Sequence, residues 1–438
     1  MPSQFDPPSG TRDFLAAELE RREHAFAVIR SVFAGYGFEP LQTPAFERLE
    51  VLMGKYGDEG DKLVFKILRR GEHEASGEAD LALRYDLTVP LARVAAAYGS
   101  QLPMPYKRYG IGPVWRADRP GKGRFREFVQ CDLDILGSAS PLADAEVLCA
   151  QHDALVALGV RDFTIALNSR QVLAGLLEAY HVRAEIGSRV LTVLDKLDKL
   201  RPESVVAELQ AIGLGEEAGD IVGALVLPDS AARLRVALKP TEQGTAGLDE
   251  LDRLLAVVGA ELPPGRIAFT PRMVRGLSYY TGPIWEHVAP GIPGSLGGGG
   301  RYDHLIAQLG GPDLPATGAS LGIERILMLP APDGPALRRL DVAVAILDDQ
   351  YATQCYSFAA AARAAGLRSS IYLGASGKLG KQLKWAADQG ARWCLLYGNA
   401  ENEAGAVTVR DMTSGEQTPV LAANVTDYLA AAAAISRD

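Results

Sequence analysis

The stretch from Gly112 to Gly137 restricts the fold more than any other: Gly-Pro-Val-Trp-Arg-Ala-Asp-Arg-Pro-Gly-Lys-Gly-Arg-Phe-Arg-Glu-Phe-Val-Gln-Cys-Asp-Leu-Asp-Ile-Leu-Gly. It predicts a hairpin, with five cations (Arg116, Arg119, Lys122, Arg124, Arg126) gathered around a Pro-Gly turn. An alternating strand follows, carrying Glu127, Gln130, Asp132 and Asp134. Arginine forks grip phosphate oxygens bidentately, while carboxylates and amides hold a cationic amine. The pattern therefore suits a polyphosphate at one end and an ammonium group at the other. A solvated charged hairpin is the plainer reading of the same residues.

With 438 residues the chain is too long for one ordinary core, so two or three domains are expected. Its 47% apolar and 23% charged content is that of a globular protein. The N-terminal residues lack a basic segment followed by an apolar one, and no long apolar run appears, which predicts a cytoplasmic protein without membrane contact. Cys131, Cys149, Cys355 and Cys394 lie far apart without a CxxC pair, which argues against a disulfide framework or a zinc knuckle. Cys149 and His152 have metal-like helical spacing but lack two further ligands, so no metal site is expected. A net charge of −9 opposes global nucleic-acid binding but leaves room for local basic patches.

Apolar residues at helical spacing predict a helix over 12–35, ended by Gly35 and Gly37. In Phe38–Glu47 two prolines exclude an interior strand, so an edge or interface strand fits. Residues 81–90 read as a strand running into a helix, with Asp86 and Thr88 at the turn, and 142–158 as an Ala/Leu-rich helix. About 171–262 is helical and charged, which looks like an insertion into a mixed domain. Strand pattern returns over 267–287, and 318–327 reads as a turn leading into a helix. A Pro/Gly-rich linker at 330–340 divides the catalytic candidate, 1–329, from a C-terminal domain, 341–438. Alternating strands and helices there predict a small parallel α/β domain.

Three further segments carry chemistry. Arg272 and Arg275 precede Tyr279 and Tyr280, two adjacent tyrosines expected on opposite strand faces, where packing is their commonest use. The run Gly297–Gly300 before Arg301 and Tyr302 is neither a P-loop nor a dinucleotide fingerprint; it implies close backbone packing or a flexible loop. Arg325 ends Gly318-Ala319-Ser320-Leu321-Gly322-Ile323-Glu324-Arg325, where glycines allow a ligand to approach.

Taken in order, these segments resemble the class II aminoacyl-tRNA synthetases, and within them the histidyl-tRNA synthetase family. Pro44 falls in a stretch similar to motif 1, Arg116 to Asp134 in motif 2, and Gly318 to Arg325 in motif 3. Arg275-Gly276-Leu277 with Tyr279-Tyr280-Thr281, and Gly298 to Asp303, are the histidine branch's own. Gly10 to Phe14 and Asp86 to Pro90 resemble it as well.

The resemblance implies an α+β catalytic domain with a mixed, mainly antiparallel sheet, a helical insertion and a C-terminal α/β anticodon-binding domain. It implies a ligase that activates L-histidine with ATP and transfers it to the 3′ end of tRNA(His). Asp86, Thr88, Gln130, Asp134, Tyr279, Tyr280 and Tyr302 would surround histidine. Arg116, Arg124, Arg275 and Arg325 would bind ATP, with Arg116, Arg275 and Arg325 as the catalytic cations and Mg2+ bridging the phosphates. Arg119 and Lys122, with Lys378, Lys381 and Lys384 in the C-terminal domain, would contact tRNA; a solvated helix face is the alternative for those three lysines. A homodimer through the region around Pro44 is implied, and zinc is not.

The chain departs from the family pattern at Gly121, where bacterial relatives commonly carry glutamine, at Ser278 for aspartate, and at Asp134 for glutamate. The competing reading is the histidine-sensing, non-catalytic regulatory subunit of ATP phosphoribosyltransferase. Such subunits lack the C-terminal module and lose catalytic arginines, which this chain keeps.

Overall fold

A computed structural model describes residues 5–71, 76–274, 279–329, 340–375 and 377–435. The chain divides into two compact units, 1–332 and 333–438. The linker expected at 330–340 falls almost wholly outside the described residues.

Among the described residues, eight strands form the main sheet of the first unit. In chain order they are β1 (Glu39–Pro40), β2 (Tyr106–Trp115), β3 (Glu127–Leu136), β4 (Thr164–Ser169), β5 (Ile267–Phe269), β6 (Pro283–Val288), β7 (Gly297–Arg301) and β8 (Ala316–Gly322). The spatial order is β1-β2-β3-β8-β7-β6-β4-β5. Only the outer pairs β1–β2 and β4–β5 are parallel, so the sheet is mixed and mainly antiparallel, as expected. The proline-bearing β1 sits at one edge, where its missing N–H costs no ladder bond.

Period-two alternation in β3 separates the two faces of the sheet. Cys131, Leu133 and Ile135 point into the core with Ala319 and Leu321 of β8. That side is covered by α1 (Ala16–Gly35) and α3 (Pro141–Ala157), whose Phe26, Ile29, Phe33, Leu148 and Leu155 are buried. Gln130, Asp132 and Asp134 occupy the other face. There they align with Gly322, Ser320 and Gly318 of β8, and Gly318 in turn lies across from Gly300 of β7.

The glycine run is thus an interior strand, and the loop reading of it is corrected. A Cβ on Gly318 would lie 2.0 Å from Asp134 Oδ1, and one on Gly300 2.5 Å from the Pro283 carbonyl. Glycine here admits side chains and strands that any larger residue would displace.

Three other expectations change. Residues 318–327 are not a turn into a helix: Ala316–Gly322 is a strand, followed by the short helix Ile323–Ile326. The strand expected over 267–287 is two strands, with Tyr279 and Tyr280 between them; their rings are 5.0 Å apart rather than on opposite faces. In the second unit only Ser369–Ile371, Val342–Ile346 and Trp393–Tyr397 are parallel; the hairpin Ala406–Asp411 and Gln417–Leu421 adds an antiparallel edge. That hairpin is partly exposed on both strands and so lacks the apolar run that marks a buried parallel strand.

Helices fill Arg170 to Glu261, and the segment joins β4 to its parallel neighbour β5. A three-stranded sheet (Phe46–Arg48, Ala79–Leu83, Lys66–Leu68) leads into α2 (Thr88–Tyr98). Among the described residues no helix is long and apolar enough to cross a membrane.

Candidate active site

The polar face of β3, the start of α2 and the loop before β6 converge on one cavity. Asp86, Thr88, Arg116, Gln130 and three tyrosines (Tyr279, Tyr280 and Tyr302) line it, over a floor made by Gly298, Gly318 and Ser320.

Asp86 stands one residue before Leu87, the N-cap of α2, and satisfies a first-turn donor: its Oδ1 accepts from the Val89 N–H at 3.0 Å and from the Tyr56 hydroxyl at 3.1 Å. Its Oδ2 is buried without a hydrogen-bond partner, as is Gln130 Oε1. The wall therefore offers two acceptors with unfilled capacity, which a cationic donor would satisfy. Burial pushes the Asp86 carboxyl up, opposed by the Val89 hydrogen bond and by Arg116.

Asp134 does not line the cavity. It lies beneath, 2% exposed, where its Oδ1 accepts the Tyr302 hydroxyl at 2.5 Å and its Oδ2 pairs with Arg108 at 2.8 Å. Arg108, on β2 directly across from Asp134, is 2% exposed and also donates to the Leu87 carbonyl at 3.1 Å. Sequence reasoning missed it; the signal was its place on the strand that pairs with the acidic one. Asp134 thus reaches the cavity through Tyr302, whose ring stands edge-on to Tyr279 at 5.8 Å. Burial raises the Tyr279, Tyr280 and Tyr302 hydroxyls well above their ordinary value, so all three enter as neutral donors or acceptors.

Arg116 follows the last residue of β2. Its guanidinium stacks on Tyr85 at 4.2 Å and Phe128 at 5.1 Å and donates from Nε to the Tyr85 carbonyl. This fixes the plane of the fork, and Arg116 is among the residues that line the cavity. Arg124, by contrast, is clamped by Asp118 at 2.6 Å and its side chain is half exposed. Arg325 lies in the short helix after β8, donating to the Ser295 carbonyl at 2.9 Å. Gly123 and Gly294 give it room: a Cβ on Gly123 would lie 3.4 Å from its Cγ, and one on Gly294 3.2 Å from its guanidinium carbon. Arg124 and Arg325 stand outside the residues lining the cavity. Arg275 falls outside the described residues.

Between the strands of the hairpin, Gly121 and Arg124 exchange backbone hydrogen bonds at 3.0 Å, so the turn is centred on Lys122 and Gly123 rather than on Pro120 and Gly121. Gly123 has φ +70°, which glycine adopts without strain. Arg119, Gly121 and Lys122 are exposed at its tip. Arg126 is structural: its backbone N–H and its side chain hold the Gly10 segment. In the second unit Lys378, Lys381 and Lys384 are exposed, and Lys384 pairs with Asp388 at 2.9 Å. Gln382 and Ala386 are that helix's buried residues, and Gln382 hydrogen bonds both backbone groups of Ile346.

A mainly antiparallel sheet with an arginine at the end of one central strand, a polar acceptor wall along the next, and a strand–helix element ending in a second arginine is the catalytic module of a class II aminoacyl-tRNA synthetase. The family model described as Histidyl-tRNA synthetase matches residues 10–326, and that described as Anticodon binding domain matches 341–432. The chain belongs to the histidyl-tRNA synthetase family. It is 40% identical over 446 residues to the histidine–tRNA ligase of Gloeobacter violaceus, covering 94% of this chain and 95% of that one. It is 43% identical to that of Leifsonia xyli over 359 residues, 76% of this chain and 83% of the relative. The crystal structure of histidyl-tRNA synthetase from a Nostoc species superposes with a TM-score of 0.78 at 29% identity, covering 98% and 99% of the two chains. A Bacillus halodurans structure titled as an ATP phosphoribosyltransferase regulatory subunit/histidyl-tRNA synthetase shares the fold with a TM-score of 0.75 at 21% identity, covering 91% and 100%.

Proposed function

We propose that this chain activates L-histidine with ATP to histidyl-adenylate and pyrophosphate, then transfers histidine to the 3′ end of tRNA(His) with release of AMP. The observation that carries this reading is a cavity lined by an arginine, two residues with unpartnered acceptor atoms and three tyrosines.

Histidine would lie with its donor nitrogens against Asp86, Gln130 and the hydroxyls of Tyr280 and Tyr302, with Thr88 and Tyr279 completing the enclosure. Asp134 would act through Tyr302. Oriented polar groups reject analogues far better than a shape-only apolar pocket does. Arg116 would hold the α-phosphate of ATP as the histidine carboxylate attacks, offsetting the charge that develops there. Arg275 would assist at the same phosphate, with Arg325 at the γ-phosphate and Arg124 on the phosphate tail after leaving Asp118. Mg2+ would arrive with ATP, held mainly by phosphate oxygens.

Arg119 and Lys122 at the hairpin tip would grip the acceptor end of tRNA. Lys378, Lys381 and Lys384 would contact its backbone near the anticodon. A homodimer through the region around Pro44 and a cytoplasmic location complete the reading.

Pyrophosphate exchange with each amino acid in turn tests it, and exchange confined to histidine is the expected outcome. Lack of exchange with histidine sinks the synthetase reading. Histidine binding without exchange would favour the regulatory subunit, against which retention of Arg116, Arg325 and the second unit stands.

A further inference from the structure

Gln130, Asp132 and Ser320 meet on the polar face of the sheet. Gln130 Nε2 donates to Ser320 Oγ at 3.1 Å. A glutamine amide can turn end for end with almost no change of shape, and its two orientations present opposite groups to a ligand. The partner hydroxyl does not by itself choose, because it both donates and accepts. The choice falls to whatever takes the hydroxyl's own proton.

Asp132 lies directly across from Ser320 in the β3–β8 register, 2% exposed, and an ionised carboxylate there can only accept from that hydroxyl. With its proton drawn toward that carboxylate, Ser320 Oγ is left to accept, so the amide faces it with Nε2. Gln130 Oε1 is then the free end of the amide, buried and without a partner, on a residue that lines the cavity. Asp86 Oδ2, the other unpartnered acceptor of the wall, has the same polarity. Burial, with Asp134 and Asp86, pushes the Asp132 carboxyl up to about 7 against the opposing pull of Arg108, so the carboxylate form prevails at pH 8.

We propose that Asp132 and Ser320 are positioning residues that lock the Gln130 amide with its oxygen toward a donor nitrogen of the bound amino acid. This rests on the histidine reading above, and the lock itself requires no contact of either residue with substrate; Ser320 also lines the cavity floor, so the double variant below separates the lock from direct contact. Removing the lock lets the amide turn an N–H toward a cationic donor, replacing an attraction by a repulsion.

The test is pyrophosphate exchange at pH 8, with the KM values for histidine and ATP measured separately. Wild-type exchange with histidine establishes the underlying reading; its absence would end that reading independently of the lock. Ser320→Ala and Asp132→Asn should each raise the histidine KM about tenfold, as loss of a charge-assisted hydrogen bond does, with the ATP KM within about twofold. Ser320→Thr, which keeps the hydroxyl, should recover most of that loss. In a Gln130→Ala background, Ser320→Ala should add nothing further. An unchanged histidine KM, an equal rise in both KM values, or full additivity with Gln130→Ala would overturn the lock. Should Asp132→Asn fail to fold, the serine variants and the double variant decide the matter alone.

Discussion

Tyr302 and Asp134 are joined by a hydroxyl-to-carboxylate hydrogen bond of 2.5 Å, and the other oxygen of the same carboxylate pairs with Arg108. A tyrosine of the cavity wall is thereby tied to a buried cation on the far side of the acidic strand. The carboxylate is the shared element, and its two partners stand to lose different amounts.

Asp134→Ala removes the carboxylate paired with the buried Arg108 guanidinium, leaving it the Leu87 carbonyl and the nearby Asp132, and costs about 3 kcal/mol, the low end for breaking a buried pair. Tyr302→Phe keeps the Asp134–Arg108 pair and costs about 1–2 kcal/mol, the scale of one hydrogen bond. Urea denaturation of the two variants should give losses in that order. Equal losses would mean that Arg108 does not depend on Asp134.

Arg116→Lys keeps the charge but loses the planar fork stacked on Tyr85, and histidine-dependent pyrophosphate exchange should fall about 100-fold or more. Arg124→Ala, whose fork already belongs to Asp118, should lower it within about tenfold. Steady-state rates of the two variants check this, and a larger effect at Arg124 would contradict the assignment.

His287 is fully buried with neither ring nitrogen hydrogen bonded, and burial, aided by His152 and Arg266, lowers its pKa to about 3. The unfolded chain takes up that proton near pH 6.5. Between those values the unfolded state holds more protons, so stability falls by about 1.4 kcal/mol for each pH unit of acidification. Asp132 and Glu250, both raised to about 7, act in the opposite sense, because the folded state keeps their protons longer than the unfolded chain does. The measurement is therefore a difference. Melting of wild type and His287→Phe between pH 4 and 7 should diverge in favour of the variant as pH falls, and parallel curves would refute the assignment.

Gly121 has open space around its missing side chain and no positive φ, so Gly121→Gln should leave stability within about 0.5 kcal/mol. Its effect should appear in tRNA recognition instead. Charging of transcripts with and without an extra 5′ guanosine should be less dependent on that nucleotide in the wild type than in Gly121→Gln. Complete dependence in the wild type would rule this out.

The sequence by itself determined the hairpin, the helices and the polar alternation of β3, because these are local periodicities that the backbone must obey wherever they occur. It also marked most of the cavity: Asp86, Thr88, Arg116, Gln130, Tyr279, Tyr280 and Tyr302, which lie up to about two hundred residues apart, come to line one space. Only the tertiary structure decided the rest. Gly297 to Gly300 became a strand because flanking strands close in on both sides, a contact that no local pattern records. Asp134 sank beneath Tyr302 because Arg108, on the neighbouring strand, compensates its charge there. Which carboxylates face a ligand and which are neutralised within the protein depends on strand register and on buried partners, and those are properties of pairs of segments rather than of any one of them.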